Sequence, residues 1–421
     1  MLPSVELPVH SVIPVSLVLL LSYLLYVRLT RWRVYKHVHH KYEHRLRDLD
    51  ALTPAEAQDI IHASMLWDMP SIVFNSLSFA IVRTYAIPSI SRVLCGTKEL
   101  RSGPTVSKRY LDTAIIAATW GTCPISTKEP PSEFYAGSVG TEDASTDPRT
   151  FIAVARMNWI HSHYKISNDD YLYTLALFIF EPIKWIRLYG WRPLSDLEIQ
   201  ARYVFYRQIG EMMGIKDIPS TVAELEAWAE DYETREMLPA DTNHALAEGM
   251  LEELVSSVPS LFRGPFKRIA ICAMDDRMRV AMKLPQQPRA LHDLVSAGAA
   301  AMRVIQRHFL PPRAHAKCII PLESGSATLH PKLTRSHPIL RVSKPWYAPR
   351  TVGPKRLLER LALAVGLLSV DDIPSPQYSE EGYRLEELGP HRWKNTGHAE
   401  VMQEAGEMMG CPVRGIWARD G

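Results

Sequence analysis

The sequence predicts an all-α protein: one N-terminal transmembrane helix, a large helical domain and a Pro-rich C-terminal region. Three observations predict it. Segment after segment places apolar residues at helical spacing and ends at Pro or Gly. No alternating strand pattern of any length occurs. An uncharged run of 17 residues, 11–27, stands near the start of the chain. The 421 residues are 46% hydrophobic and 22% charged, which is a globular composition with room for a large core. A net charge of +2 argues against a nucleic-acid partner, which asks for a strong basic excess. The expected organisation is a lumenal N-terminus and anchor over 1–27, a basic juxtamembrane segment over 28–50, a helical domain over 51–310, and a Pro-rich extension over 311–421 packed on it.

The elements follow in order. At about 1.5 Å per residue, the 11–27 run is at the short end for crossing a bilayer core of about 30 Å. No Lys or Arg precedes it and seven lie between Arg28 and Arg47. A signal peptide has the reverse arrangement, so the run is expected to be a retained anchor with the bulk of the chain in the cytosol. The 28–47 segment is expected to lie at the membrane surface, with Trp32, Tyr35 and Tyr42 at headgroup depth. It also holds His37, His39, His40 and His44, and His40 and His44 share a helix face where a metal could sit. Thr53-Pro54-Ala55-Glu56 starts a helix. Arg83 stands in apolar surroundings and needs a partner if buried. A helix is expected over 108–120, with Arg109 and Asp112 as a surface pair, and then a loop over 126–147.

Further on, Tyr171 to Ile186 is an apolar run that Pro182 should kink or divide. Ser195 and Glu198 make a capping box, and Gly214 is a stop. An acidic helix begins at Val222, and Asn243 is a candidate cap for the next. A helix is expected over 291–310, with one more apolar helix over 357–368 among C-terminal loops. The five cysteines are odd in number and form no CxxC, so they read as reduced thiols on the cytosolic side.

GxGxxG, P-loop, HExxH and GxSxG motifs are all absent, which removes the simple dehydrogenase, NTPase, zinc-protease and serine-hydrolase cases. The densest chemical cluster is Arg156, His161 and His163. Arg156 and His163 are seven apart and can face one pocket. His161 lies about 140° round from Arg156 on an ideal helix. A histidine beside apolar cover can ligate haem iron, and an arginine can hydrogen-bond dioxygen or a carboxylate. Equally, Arg156 could tie its helix to a buried acid and His161 could donate to a carbonyl. Trp228, Asp231, Tyr232 and Glu233 read as a packed helix edge. Asp275, Asp276, Arg277 and Arg279 read as an interhelical ion network or a carboxylate site.

The chain resembles a known family along most of its length. The residues that carry this are Arg83–Ser91, Lys108–Thr113, Val154–Tyr164, Asp170–Phe178, Trp191–Glu198, Trp228–Glu233 and Asp275–Met282. It is similar to the MpaB-type fungal oxygenases of the endoplasmic reticulum, whose wider group includes the latex-clearing rubber oxygenases. The resemblance implies a membrane-anchored oxygenase of a lipophilic intermediate, isoprenoid or polyketide-derived, in secondary metabolism. The implied reaction is oxidative cleavage of a carbon–carbon double bond, with a hydroxylation or cyclisation as the alternative. It further implies haem b on His161 or His163, dioxygen as co-substrate, and Arg156 beside the bound oxygen. The run 172–185 would line the substrate channel. One departure stands out: bacterial relatives carry a Trp-x-His-like segment in the next helix, and this chain has Tyr173-Thr174-Leu175 there. The reading from another class is a non-catalytic, membrane-tethered lipid-binding or scaffold protein.

Overall fold

Side chains that occupy the orphan N–H groups of the first turn set the helix starts. Thr53 with Glu56, Ser195 with Glu198 and Thr221 with Glu224 each close a reciprocal capping box. The computed structural model describes residues 9–100, 104–134, 147–256, 258–321, 335–340, 342–365, 368–414 and 417–418. In chain order the helices are α1 (Val9–Thr30), α2 (Arg33–Lys41), α3 (Pro54–His62), α4 (Pro70–Thr84), α5 (Pro88–Gly96) and α6 (Pro104–Thr122). They continue as α7 (Arg149–His161), α8 (Asn168–Tyr189), α9 (Asp196–Met212), α10 (Val222–Glu236) and α11 (Asp241–Leu254). The last are α12 (Ser260–Cys272), α13 (Asp276–Ala281), α14 (Arg289–His308), α15 (Pro354–Ala364) and α16 (His398–Met409). A π-helical turn, Ala63–Asp68, follows α3 directly. Among the described residues the backbone pairing outside helices is an isolated bridge, Ser336 with Tyr383, so the all-α expectation holds.

The core forms where α8 lies against α4 and α9, α3 lies against α9, and α7 is clasped between α6 and α16. Buried apolar side chains from these helices make one large cluster, including Ile60, Leu111, Ile152 and Phe205. A second cluster sits under α5, α11 and α13 around Leu246 and Met278. Among the described residues α1 is the one unbroken helix long and apolar enough to cross a membrane. Most of its leucines are exposed.

Several expectations are corrected. The aromatic residues of the juxtamembrane segment do not all face lipid. Tyr42 is buried with its hydroxyl donating to Asp59, Trp32 lies edge-on to Trp191, and the Arg192 guanidinium sits 4.5 Å from the Tyr35 ring. The histidines there point apart. His37 meets Glu133, His39 meets the Tyr35 carbonyl and Ser195, and His40 lies by Glu43. Arg109 and Asp112 do not pair. Asp112 is buried against Lys108 and Tyr347, while Arg109 reaches Glu99. Of the two outcomes expected at Pro182, division does not occur, since α8 runs through it. Asn243 lies inside α11 rather than capping it, and its amide donates to the carbonyls of Ala86, Leu238 and Ala281. The loop expected over 126–147 is described to 134, and 135–146 lie outside the described residues. The C-terminal stretch holds a second helix, α16, that its Pro-rich character concealed.

Candidate functional site

The cluster around α7 divides between two sides of that helix. Arg156 is fully buried, and its Nε, Nη1 and Nη2 donate to the carbonyls of Leu388, Thr396 and Trp393 at 2.7 to 2.8 Å. Burial lowers its pKa to about 10, with Glu386 and Asp112 acting in the opposite sense. His163 does share a face with it. Both meet Trp159 and Trp393, and the segment 388–396 occupies that face. Arg156 therefore binds the C-terminal segment to the helical domain, through carbonyls and not through the buried acid that was one expectation. His163 is exposed, with Nδ1 at 2.7 Å from the Trp159 carbonyl. His161 lies on the other side, its ring 5.4 Å from Tyr171. Its Nδ1 is shielded from solvent and without a partner. Burial and the Arg109 charge lower its pKa to about 4. Arg156 and His161 are thus not brought into one pocket.

A different polar set occupies the middle of the core, and its members were not singled out from sequence. His62 ends α3, where the chain passes into the π-helical turn. π-Turns inside helices recur at functional sites because they re-aim side chains. The His62 ring is fully buried, and its Nε2 lies 2.8 Å from the Gly121 carbonyl. A carbonyl only accepts, so Nε2 carries the proton and Nδ1 presents a lone pair. That lone pair has no partner. Burial lowers the pKa to about 4, so the ring is neutral. Beside Gly121 stands Trp120, whose indole N–H is buried without an acceptor. The Trp120 ring is edge-on to Phe178, and Phe178 stacks on Tyr206.

Arg202 completes this layer. Its guanidinium carbon lies 5.9 Å from the Tyr206 ring centre. The side chain is fully buried on α9 without a carboxylate in ion-pair range among the described residues, and Tyr206 is the polar side chain beside it. Burial lowers its pKa, partly offset by Tyr206 and Glu198. Other buried arginines show how unusual this is. Arg192 is clasped by Asp68 and Glu198, and Arg83 by Glu233 and Asp275. An uncompensated buried cation costs several kcal/mol. A fold retains such a group where something anionic or strongly accepting completes it.

The Arg83 network is complete by contrast. Arg83 forks onto Glu233 at 2.7 and 2.8 Å, meets Asp275 at 2.5 Å, and Tyr173 donates to Glu233 at 2.8 Å. It joins α4, α8, α10 and the start of α13, which is the interhelical role expected of Asp275. Glu181 lies 3.6 Å from Arg83, and burial raises its pKa. Most of the run 172–185 packs into the core, and only its Trp185 end reaches a hollow of 220 Å³ between α4, α8 and α14.

Chemically, the core layer offers one neutral imidazole with a free lone pair, one unpaired guanidinium, and aromatic walls. The first can take a metal ion and the second a carboxylate. Among the described residues no three His, Cys, Asp or Glu side chains gather as a metal set. The donor number on offer is one imidazole. From sequence, the available signal was position. Arg202 falls on the 198–202–205–209 stripe of α9, which is otherwise the inward face.

The family model for the catalytic domain of the ER-bound oxygenases mpaB/B′ and rubber oxygenase matches residues 154–336. The chain is 27% identical over 420 residues to ER-bound oxygenase mpaB′ of Penicillium brevicompactum, covering 94% of this chain and 92% of that one. It is 31% identical over 281 residues to ER-bound oxygenase mpaB of Penicillium roqueforti (strain FM164), covering 63% of this chain and 88% of that one. Latex clearing protein LCP in the closed state superposes with a TM-score of 0.40 at 18% identity, over 62% of this chain and 69% of that one.

Proposed function

This chain belongs to the ER-bound oxygenase mpaB/B′ and rubber oxygenase family, and on that premise we propose that it is a haem-dependent oxygenase acting on a lipophilic substrate drawn from the membrane. It is an oxygenase, and dioxygen is a substrate of its family's chemistry. The finer reading places it in the endoplasmic reticulum membrane as a single-pass protein with the catalytic part in the cytosol. Its substrate is an isoprenoid or polyketide-derived intermediate, and the reaction is oxidative cleavage of a carbon–carbon double bond.

The observation that carries the cofactor reading is the His62–Arg202 layer. Two of its side chains have the chemistry that a haem would draw on. A histidine that holds iron must do so as a neutral imidazole, and His62 is neutral, with one nitrogen fixed on a carbonyl and the other without a partner. The acidic side chains of the macrocycle need a cation, and Arg202 is an unpaired one. When bound, the haem supplies the iron at which dioxygen is activated. His62 would hold the group, and Arg202 would neutralise an acid on it. Trp120, Phe178 and Tyr206 keep bulk water away, which strengthens every electrostatic contact inside. His161, the histidine expected from the family pattern, is the second reading for the side chain that would hold the iron. It is favoured by its own shielded and unpartnered Nδ1.

An absorption spectrum and iron analysis of the detergent-purified protein test this, repeated on His62→Ala and His161→Ala. A Soret band with near-stoichiometric iron, lost in His62→Ala and kept in His161→Ala, is expected. Loss in His161→Ala alone moves the ligand to α7. A colourless, iron-free protein after expression with haem supplied overturns the cofactor reading.

A further inference from the structure

We propose that α14, with α12 beside it, lies in the plane of the bilayer, so that the anchor is one part of a broader membrane face that roofs a substrate entrance. The interaction partner is the lipid surface itself. The proposal rests on the membrane anchoring read above and extends it to helices far along the chain.

The first observation is the pattern of α14. Its 20 residues include none that is buried. At about 100° per residue, Leu294, Ala301 and Ile305 fall within an arc of about 40°, and Ser296 and Arg303 lie on the opposite side. Leu294 is 66% exposed, Val304 53% and Phe309, just past the helix end, 47%. α12 packs against α14 and repeats the arrangement, with Phe262, Phe266 and Ile269 exposed at i, i+4, i+7 spacing. Basic residues accompany both apolar faces: Arg263, Lys267 and Arg268 on α12, and Arg303 and Arg307 on α14. Exposed apolar stripes flanked by Lys and Arg are the composition of interfacial helices, whose cations meet anionic headgroups.

The second observation says what covers the face. The end of α14 runs along the anchor. The Tyr23 hydroxyl donates to the Phe309 carbonyl at 2.7 Å, Arg31 Nη1 to the Pro311 carbonyl at 3.3 Å, and Arg33 Nη2 to the Arg313 carbonyl at 2.7 Å. The Arg307 guanidinium lies 5.9 Å from the Trp32 ring. Tyr23 is five residues before Arg28, the first cation of the juxtamembrane segment, or about 7.5 Å along the helix axis. A bilayer that takes in α1 up to its flanking arginines therefore also takes in Phe309 and Leu310. The apolar face of α14 continues the anchor's surface, whereas its polar side carries Arg303 and Arg307.

The third observation gives the face a purpose. The other side of α14 presents Ala299, Met302 and Gln306 to the hollow whose floor is Trp185, Tyr189 and Ile72. Trp185 in turn donates to Glu181 at the edge of the Arg83 network. A lipophilic molecule leaving the acyl chains beside α14 meets this hollow without crossing water.

The test uses the full chain reconstituted in phosphatidylcholine–phosphatidylserine vesicles that contain a phospholipid with a diazirine in its acyl chain. After irradiation and digestion, lipid adducts are mapped by mass spectrometry. Adducts are expected on peptides from 15–27, from 289–310 and from 260–272. In the Leu294→Asp/Ile305→Asp double variant, whose substituted positions are solvent-facing, adducts on 289–310 should fall at least fivefold while those on 15–27 persist. Adducts confined to 15–27 overturn the proposal and leave the anchor intact. Adducts on neither region overturn both. Absence of adducts on 289–310 together with a dimer in detergent that the Leu294→Asp/Ile305→Asp variant dissociates assigns the face to self-association and overturns the proposal as well.

Discussion

Replacing Arg202 with Met should stabilise the cofactor-free protein, and replacing Arg156 with Met should destabilise it. Both arginines are fully buried, so exposure does not separate them. Partners do. Arg202 has no carboxylate partner among the described residues, and replacement of buried ionic groups by apolar side chains of similar size is often stabilising by about 1–4 kcal/mol. Arg156 holds three carbonyls, at Leu388, Thr396 and Trp393. Its loss leaves them desolvated, at about 1–3 kcal/mol for each buried group that stays unsatisfied, and a total of about 3–5 kcal/mol is expected. Urea unfolding in detergent, on protein prepared without haem, reads both. With a slope of about 3 kcal/mol per M, the midpoint should rise by roughly 0.3–1.3 M for Arg202→Met and fall by at least about 1 M for Arg156→Met. Limited proteolysis adds a local readout, because Arg156→Met should expose the 388–396 segment first. In the haem-loaded protein the sign for Arg202→Met should reverse, since the anion it balances would then be left unpaired. A midpoint lowered by more than about 0.3 M in the haem-free Arg202→Met protein would refute the reasoning, because it would mean that the guanidinium is already satisfied.

Other outcomes follow from single sites. His62 is neutral in the fold, with a pKa near 4, and protonates near 6.5 once unfolded, so the unfolded chain binds the extra proton between these values. Its contribution is therefore fully present above pH 6.5 and is lost as pH falls towards 4, by about 3 kcal/mol in all. His62→Gln should flatten that part of the stability–pH curve, and an unchanged slope would contradict the burial argument. Gly397 has φ +77°, and a Cβ there would come within 2.1 Å of the Trp159 ring. Gly397→Ala should cost at least roughly 2 kcal/mol, against roughly 1 kcal/mol for Gly410→Ala, which has a similar φ but open space; equal thermal shifts would defeat the steric reading. Glu233→Ala strips Arg83 of its forked partner and should cost about 3–5 kcal/mol. Asp231→Ala, on an exposed pair with Arg235, should stay within about 0.5 kcal/mol, as calorimetry can check.

Local chemistry alone determined much of this molecule. Thr53 with Glu56 and Ser195 with Glu198 announce two helix starts because a capping box involves only four adjacent residues. The uncharged run and the arginines after it announce the anchor by composition. The all-α class follows from helical periodicity sustained along the chain, and the family from long ordered stretches of residues. Tertiary structure decided what the same residue types do. Arg202 and Arg207 stand five apart on one helix, about 140° round from each other. Packing of α9 on α3 and α8 encloses the first, while the second pairs with Glu211 in solvent. Arg156 meets carbonyls more than 230 residues away, and Tyr42 meets Asp59 because α2 folds back onto α3 rather than onto lipid. Burial and hydrogen-bond partnership are properties of what surrounds a side chain, and most of those neighbours come from distant segments. Capping and periodicity need only the next few residues, so the sequence by itself determined most of the helices, the anchor and the family, and only the assembled fold decided which charges are paired and which are not.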